Sequence, residues 1–529
     1  MYVGILIWRF RLLQNIFRNY TFKLGDFSFM KKVLLFNPRA GDAVRIIPNA
    51  ILAMAAAIEG MVDYAIVDGN REEDPLKTIL AYLTTGEFGF FASTVMPGPQ
   101  LRQAIPYTKL IREKFPTIKI IWGGYFASNH HHTAIKSGWI DAIVNGPGDK
   151  VFPALLQAFD QHLALDEIEN LVFIRDGKVI KTKKAMLYEQ DELMPLPYDK
   201  LSTFYSMDGF LGKTFLGSKT IAYHSSIGCP FTCSFCGVVP IFNARWKGKS
   251  APLIYKDIKF LKEKFGASAF QFHDNNFFVS EKRAVEFAHL IAPEKMKWWA
   301  EGRIDTMDQF SNDSLQAIAG SGCTMIFFGA ESGNNKLLSQ MDKGGKQTGE
   351  RIKAFAARIK KFGIIPEYSF VLGLPAATEE QVWQQIYDEV AFIKVIKEIN
   401  PQTEIVIYIY TPVPTEGSEL YLDSETKGFA FPKTLDDWMK EEWLNFDLHR
   451  EFLTPWLKPE MIRYIHDFET VIHAQYPTVS DYKLSSLQRK VIKMISLVRY
   501  QFNIFSHPYE LKALMKYWLR YRQPEIQGL

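Results

Sequence analysis

Cysteine is scarce, with four in 529 residues, so a disulfide-built scaffold is excluded. Long apolar runs are missing too. A spanning helix needs about 18 consecutive apolar residues, and the longest stretch here, Ala50 to Ile58, stops at Glu59. Charge of one sign hardly predominates. The net value of +4 is too small to mark a nucleic-acid binder by itself. No solenoid-type repeat and no low-complexity segment is present. What is there is ordinary globular material. Hydrophobic residues at 47% and charged residues at 23% exclude a disordered or fibrous chain. At about 150 residues per domain, the length accommodates about three domains. The 41 Phe and 23 Tyr supply apolar bulk for more than one core.

The ends of the chain differ from its middle. Between Lys483 and Arg522 there are nine Lys/Arg and one acid, Glu510, with interleaved aromatics such as Tyr500, Tyr517, Trp518 and Tyr521. A helical cap with a solvated basic face, peripheral contact with a membrane or lipid substrate, and nucleic-acid binding are the readings of this tail. The first is the expectation, and nucleic acid is not expected. At the other end, residues 1–29 read as an extension. Their short apolar stretch is broken by Arg9 and Arg11 and has no basic segment before it, unlike a signal peptide. Met30 to Pro38 already looks like the opening of a first strand, and a cytoplasmic protein is expected.

Residues 30–161 alternate short apolar runs with helical stretches, the pattern of a parallel α/β sheet. Strands are predicted at Val33–Asn37, Tyr64–Asp68, Phe88–Ser93, Ile118–Gly123 and Ala142–Asn145. Residues 162–215 read as a connector with a short hairpin turning at Asp176-Gly177. Residues 216–430 repeat the alternation with six strands, which fits a partial (β/α)6 barrel whose chemistry gathers at strand C-termini. Residues 431–529 lack a strand pattern and read as a C-terminal helical domain. The fold class is therefore α/β, with an N-terminal Rossmann-like parallel sheet, a partial barrel and a helical C-terminal region.

Three of the four cysteines fall within eight residues, as Cys229-Pro-Phe-Thr-Cys233-Ser-Phe-Cys236 just past a strand. Three thiolates this close suit a [4Fe–4S] cluster with one iron left for a non-protein ligand. A zinc site would want a fourth ligand. His224 is an alternative for that role, and a disulfide plus a free thiol is another. Cys323 shares strand parity with Glu331 but sits eight residues before it, roughly 26 Å from the strand top. It reads as a buried core thiol.

The C-x3-C-x2-C spacing, with Phe235 before the last cysteine, resembles the signature of the radical S-adenosylmethionine (SAM) superfamily. Further segments match in order. Phe272 to Phe277, with Asp274, resembles the segment beside the methionine moiety. Gly329-Ala330-Glu331-Ser332-Gly333 resembles the segment whose acid and serine meet the ribose or amino-acid part. Phe370 to Pro375, with Gly373, resembles the segment beside the adenine, and Tyr410 to Pro414 the closing strand. The resemblance implies that Cys229, Cys233 and Cys236 bind the cluster and are catalytic. S-adenosylmethionine would be cleaved there by one electron, from a donor such as flavodoxin or ferredoxin, to give a 5′-deoxyadenosyl radical. Each matching segment lies at a predicted strand end. A carboxylate such as Glu331 accepts hydroxyl or ammonium hydrogens, though a solvated helix-start acid has the same sequence. Arg303 presents a fork for a carboxylate, of a ligand or of the chain. Gly373 allows close backbone approach, to a ligand or to packing.

The N-terminal sheet resembles the cobalamin-binding domain of one large radical SAM subfamily. Ser93, Thr94 and Gly98, then Gly123 and Gly124, then Gly146 carry the likeness. The resemblance implies that these strand-end loops embrace cobalamin. The D-x-H-x-x-G motif that supplies an axial histidine elsewhere is absent, since Asp42 is followed by Ala-Val and Asp68 by Gly-Asn. Pro147 and Asp149 interrupt the usual acidic pair. His130-His131-His132 reads as a solvent-exposed loop. Together these readings imply a cobalamin-dependent radical SAM enzyme that methylates an unactivated carbon of a small molecule or lipid. A porphyrin-cyclase-like oxidative cyclisation and a non-catalytic iron–sulfur protein are the alternatives.

Overall fold

The computed structural model describes residues 30–41, 45–341, 346–412, 419–445 and 453–519. The extension 1–29, Asp42, Val413 and Pro414 of the closing-strand motif, and Arg520 to Arg522 lie outside the described residues. The chain forms two compact units. In described residues, the first holds 30–41, 48–209 and 432–445, and the second holds 45–47, 210–431 and 453–519.

The first unit is built on β1 (Lys32–Asn37), β2 (Tyr64–Asp68), β3 (Phe88–Thr94), β4 (Lys119–Gly123), β5 (Ala142–Val144), β6 (Leu171–Arg175) and β7 (Lys178–Lys181), in the order β2-β1-β3-β4-β5-β6-β7. β1 to β5 are parallel. That order is the flavodoxin-like doubly wound arrangement, which places ligands outside the carboxyl ends of its strands. Val33, Leu34, Leu35 and Phe36 are buried without a break, as strands covered on both faces require. Helices such as Asn49–Ile58 and Leu101–Lys114 supply the crossovers.

Two expectations change here. The hairpin expected in a separate connector joins the sheet: β6 pairs antiparallel with β5 and extends the sheet past its last parallel strand. Leu171, Val172 and Phe173 are buried by that pairing. Residues 432–445, expected in a C-terminal helical domain, pack instead on the first unit. Trp438 drives this. Its ring centroid lies 5.0 Å from Phe126, 4.6 Å from His130 and 4.7 Å from Trp443.

The second unit holds β8 (Thr220–Tyr223), β9 (Ser226–Gly228), β10 (Trp246–Gly248), β11 (Ala269–Phe272), β12 (Lys297–Gly302), β13 (Cys323–Glu331), β14 (Ile365–Leu372) and β15 (Glu404–Ile409). β8 and β11 to β15 form one parallel sheet in sequence order, with β8 and β15 as its edges. The expected partial barrel is thus an open six-stranded sheet. Helices such as Ala251–Phe265, Glu281–Ile291 and Glu379–Ile399 fill the crossovers, each with the side chain of its N-cap residue, Ser250, Ser280 or Thr378, on a first-turn amide. Helices Pro459–Gln475 and Ser486–Gln501 follow, the latter opened by a Ser485/Gln488 capping box. Among the described residues no helix is long and apolar enough to cross a membrane.

Candidate active site

The cysteine loop is tied at its base. β9 and β10 pair antiparallel on either side of it, Gly228 opposite Trp246. Gly228 has φ +77°, and a Cβ there would stand 2.2 Å from the Arg245 carbonyl oxygen, so no larger residue fits this closure. Farther round, Ser234 donates through its amide to Met341 O (3.1 Å) and through its hydroxyl to Gln340 O (2.9 Å), capping carbonyls at the end of helix Asn335–Gln340. Phe235 packs against Leu337, Met341, Val371, Leu374 and Tyr410. Cys229 and Cys236 are half-buried, and Cys233 is buried.

Arg303, just past β12, resolves the choice left open for it. Its Nε and Nη2 donate to both Asp305 carboxylate oxygens, at 3.0 and 2.8 Å, and Nη1 reaches Cys233 Sγ at 3.1 Å. The guanidinium lies 3.9 Å above the Phe231 ring. A fixed cation thus stands beside a sulfur that is anionic as a cluster ligand. Among the described residues, no three His, Cys, Asp or Glu side chains stand close enough to share one metal ion. The zinc alternative with His224 therefore finds no such grouping. A cubane asks for a different spacing, because each thiolate takes its own iron. Three thiols on one anchored loop, with a cation at one of them, fit that group. Cys323 is the buried first residue of β13, and burial pushes its thiol well up.

Asp274 is fully buried, and its carboxylate is committed to the chain. It accepts from Ser225 N (2.6 Å), Ser225 Oγ (2.5 Å) and Ser226 Oγ (2.6 Å). Arg283 closes the same network, donating to Ser225 O at 3.0 Å, Lys249 O at 2.7 Å and Phe277 O at 3.1 Å. Sequence reasoning missed Arg283, since nothing distinguishes an arginine in the first turn of a helix. These bonds lock the cysteine loop's root to β11. An aromatic knot of Phe270, Phe272, Phe277, Phe287 and Trp298, all buried, backs the segment carrying Asp274, with Phe272 and Phe277 stacked at 4.2 Å.

Glu331 ends β13 in an uncommon conformation. Its φ is +65°, and Ser332 N bonds to Ala330 O at 2.8 Å, a three-residue turn centred on a non-glycine. Such a backbone costs of order 1–3 kcal/mol and persists only when its surroundings impose it. They do so here. Gln347 Nε2 donates to Gly329 O and Ala330 O, at 3.0 and 2.8 Å, and the register with β14 shifts between Gly329 and Glu331. The Ser332 hydroxyl, expected at a ligand, donates instead to Glu389, which also accepts from Gly333 N at 2.9 Å. Burial pushes the Glu389 carboxyl up to about 7. At Gly373, φ is +77°, and a Cβ would strike Leu457 at 2.7 Å. Trp456 Nε1 donates to its carbonyl at 2.8 Å. Packing, not an open ligand surface, occupies that side.

Sequence reasoning also missed a polar row on one face of the sheet. Gln271 pairs with Trp299 and Phe272 with Tyr223, so two steps past the first pair and one past the second, His224, His273 and Glu301 lie side by side on one face. The two imidazoles are 6.1 Å apart. His273 Nε2 is buried with no hydrogen-bond partner among the described residues. Burial, and then His224, drives the His273 pKa down to about 3, and burial lowers His224. Burial, and then the Asp274 carboxylate, pushes Glu301 up to about 8. Each of the three is thus shifted toward its neutral form. The signal was available in the alternation along β8, β11 and β12, where polar residues fall at inward positions.

In the first unit, Ser93, Thr94, Gly98, Gly123, Gly124 and Gly146 lie at or just past the carboxyl ends of β3, β4 and β5. The loops interlock: Val95 N bonds to Gly123 O and Phe126 N to Val95 O, each at 2.9 Å. A Cβ at Gly124 would meet Thr94 Oγ1 at 2.7 Å, whereas one at Gly123 would find only Val144, at 3.9 Å. The backbone at Gly123 is thus uncrowded, which agrees with the close approach of a flat ring such as that of cobalamin. The histidine triplet is not the expected exposed loop. It spans the junction of helices Gly124–Asn129 and His131–Ile135. His130 packs at a tilt on Phe126 and Trp438, and burial drives its pKa down to about 3. His131 Nδ1 bonds to Ser128 O at 2.9 Å, and His132 is exposed.

Residues 223–386 match the Radical SAM superfamily. That segment is a radical SAM domain. Among similar proteins is an uncharacterized methyltransferase of Pyrococcus horikoshii, 26% identical over 367 residues, 66% of this chain and 76% of that one. An anaerobic magnesium-protoporphyrin IX monomethyl ester cyclase of Synechocystis is 27% identical over 247 residues, but the match spans only 46% of this chain and 48% of the cyclase. Among solved structures, the cobalamin-dependent S-adenosylmethionine radical enzyme OxsB has a TM-score of 0.68 at 14% identity, over 96% of this chain and 80% of that one. The radical SAM methyltransferase TsrM of Kitasatospora setae has a TM-score of 0.57 at 16% identity, over 73% and 74%. Both share the fold of this chain.

Proposed function

We propose that this radical SAM enzyme methylates an unactivated carbon in a cobalamin-dependent reaction. The observation that carries the reading is the pairing, in one chain, of the anchored three-cysteine loop with a doubly wound sheet whose β4 end is left open at Gly123. When bound, the [4Fe–4S] cluster with S-adenosylmethionine supplies hydrogen-atom abstraction, and cobalamin supplies the methyl group. Cys229, Cys233 and Cys236 would hold the cluster, and Arg303 fixes Cys233. Glu331 offers its carboxylate to ribose hydroxyls or an ammonium from its imposed turn, while Ser332 and Glu389 hold that turn. Asp274 positions the root of the cysteine loop rather than meeting a ligand. Gly329, Phe235 and Gly373 shape the surrounding wall. His224, His273 and Glu301 give the substrate a neutral, hydrogen-bonding surface, suited to hydroxyl, amide or ester groups. An external one-electron donor, such as flavodoxin or ferredoxin, completes the set.

The test is anaerobic turnover of reconstituted protein with reductant, corrinoid and candidate substrates. Methylated product should appear with S-adenosylhomocysteine and 5′-deoxyadenosine. The Synechocystis relative favours a second reading, oxidative cyclisation. That reaction would give 5′-deoxyadenosine and product without S-adenosylhomocysteine.

A further inference from the structure

Helix Ser486–Gln501 is apolar on two opposite sides. Its inner side is buried through Ile492, Ser496 and Tyr500. Ser496 Oγ bonds to Gln475 at 3.1 Å, and Tyr500 packs on Tyr476 at 5.3 Å. At about 100° per residue, Leu487, Val491, Met494, Val498 and Phe502 fall on the other side. Leu487 is 70% exposed, Met494 68%, Val498 57% and Phe502 71%. The next segment continues the pattern with Ile504, Tyr509, Tyr517 and Trp518, all exposed. Half of the exposed large hydrophobic side chains of the described protein lie in this short stretch. An apolar stripe of this kind marks a surface that something covers.

Charge says what covers it. From Lys483 to Lys516 the segment carries seven Lys/Arg and one acid. That acid, Glu510, is already bonded by Arg499. Lys483, Lys490, Lys493 and Lys516 are exposed. Lys490 borders the stripe and Lys493 lies farther round on the same side, where a long side chain can send its charge up to headgroups. Tyr517 and Trp518 are the side chains that settle at a membrane–water boundary.

We propose that the outward face of helix Ser486–Gln501, with the Phe502–Trp518 segment, docks on an anionic lipid surface. The stripe enters the headgroup boundary, and the lysines neutralise lipid charge. Docking is peripheral, since no described helix is fit to span.

Full-length protein is floated with phosphatidylcholine vesicles, with and without about one third phosphatidylglycerol. Wild type should rise with the anionic vesicles and stay below with the neutral ones. The combined variant L487S/M494S/V498S/F502S should stay below with both. Its melting temperature should match wild type, because those side chains already face water. Lys490→Ala, Lys493→Ala and Lys516→Ala keep the stripe and should each weaken partitioning about fivefold. Wild type left below with both vesicles overturns the proposal, as does a stripe variant that floats like wild type. A wild-type dimer that the stripe variant dissolves, without flotation, assigns the face to a second copy instead.

Discussion

Glu301 shows what burial does to a single side chain. Its carboxyl is raised from the ordinary 4.5 to about 8, because the interior disfavours its charge and Asp274 adds a like charge. A raised carboxyl makes the folded state bind a proton that the unfolded chain has lost. Its contribution to stability is therefore full below about pH 4.5 and falls away as pH rises to about 8. Each tenfold gain in proton affinity on folding is worth about 1.4 kcal/mol. Between pH 5 and 8 Glu301 adds a falling slope to the stability of the apoprotein, against the rising one from the lowered His130 and His273. Glu301→Gln should remove that falling component, so its stability relative to wild type, measured by denaturation, should be less favourable at pH 5 and more favourable at pH 8. An unchanged slope would mean that Glu301 ionises freely in the fold. Residue roles were only partly legible in the sequence. The cysteines announce themselves by spacing. Asp274 and Ser332 match ligand-binding segments by position, yet their oxygens are bonded to Ser225, Ser226 and Glu389. Position along a strand says which end a residue occupies, and not which neighbour reaches it first.

Elements were more legible than residues, because strand and helix periods are written locally. β2 (Tyr64–Asp68) and helix Glu281–Ile291 fall where alternation and N-cap signals put them. What the sequence hid was pairing between separated segments. The three-residue strands β9 and β10 are too short to show a period, yet their ladder closes the cysteine loop. β6 and β7 read as a hairpin, but nothing local reveals that β5 offers them an edge. Gly228 is where this level can be tested. Gly228→Ala places a Cβ against the Arg245 carbonyl at φ +77°. The strain alone is worth about 1–3 kcal/mol, and the ladder must open to relieve it. Iron content after anaerobic reconstitution should drop sharply while the far-ultraviolet circular dichroism of the sheets is kept. Full iron content in that variant would show that the ladder does not hold the loop.

At the scale of the molecule, the two cofactor assignments rest on different units. The cysteine loop and its supports, Arg303, Asp305, Asp274 and Arg283, lie within 210–431, and the glycine loops around Gly123 within 48–209. Each unit has its own buried core: Phe36, Phe91 and Trp122 in one, Phe270, Trp298 and Tyr368 in the other. Replacing Cys229, Cys233 and Cys236 together by Ala removes the iron ligands without touching a core residue of the first unit. That variant, produced with cobalamin supplied and purified without oxygen, should contain no iron–sulfur cluster and near-stoichiometric corrinoid. Corrinoid is quantified by absorbance after cyanide extraction, and iron by colorimetry on the same sample. Loss of both groups together would mean that the first unit cannot hold corrinoid by its own loops, and the methylation reading would lose its methyl carrier. Corrinoid kept without iron should come with no 5′-deoxyadenosine, which separates carrying the methyl group from making the radical.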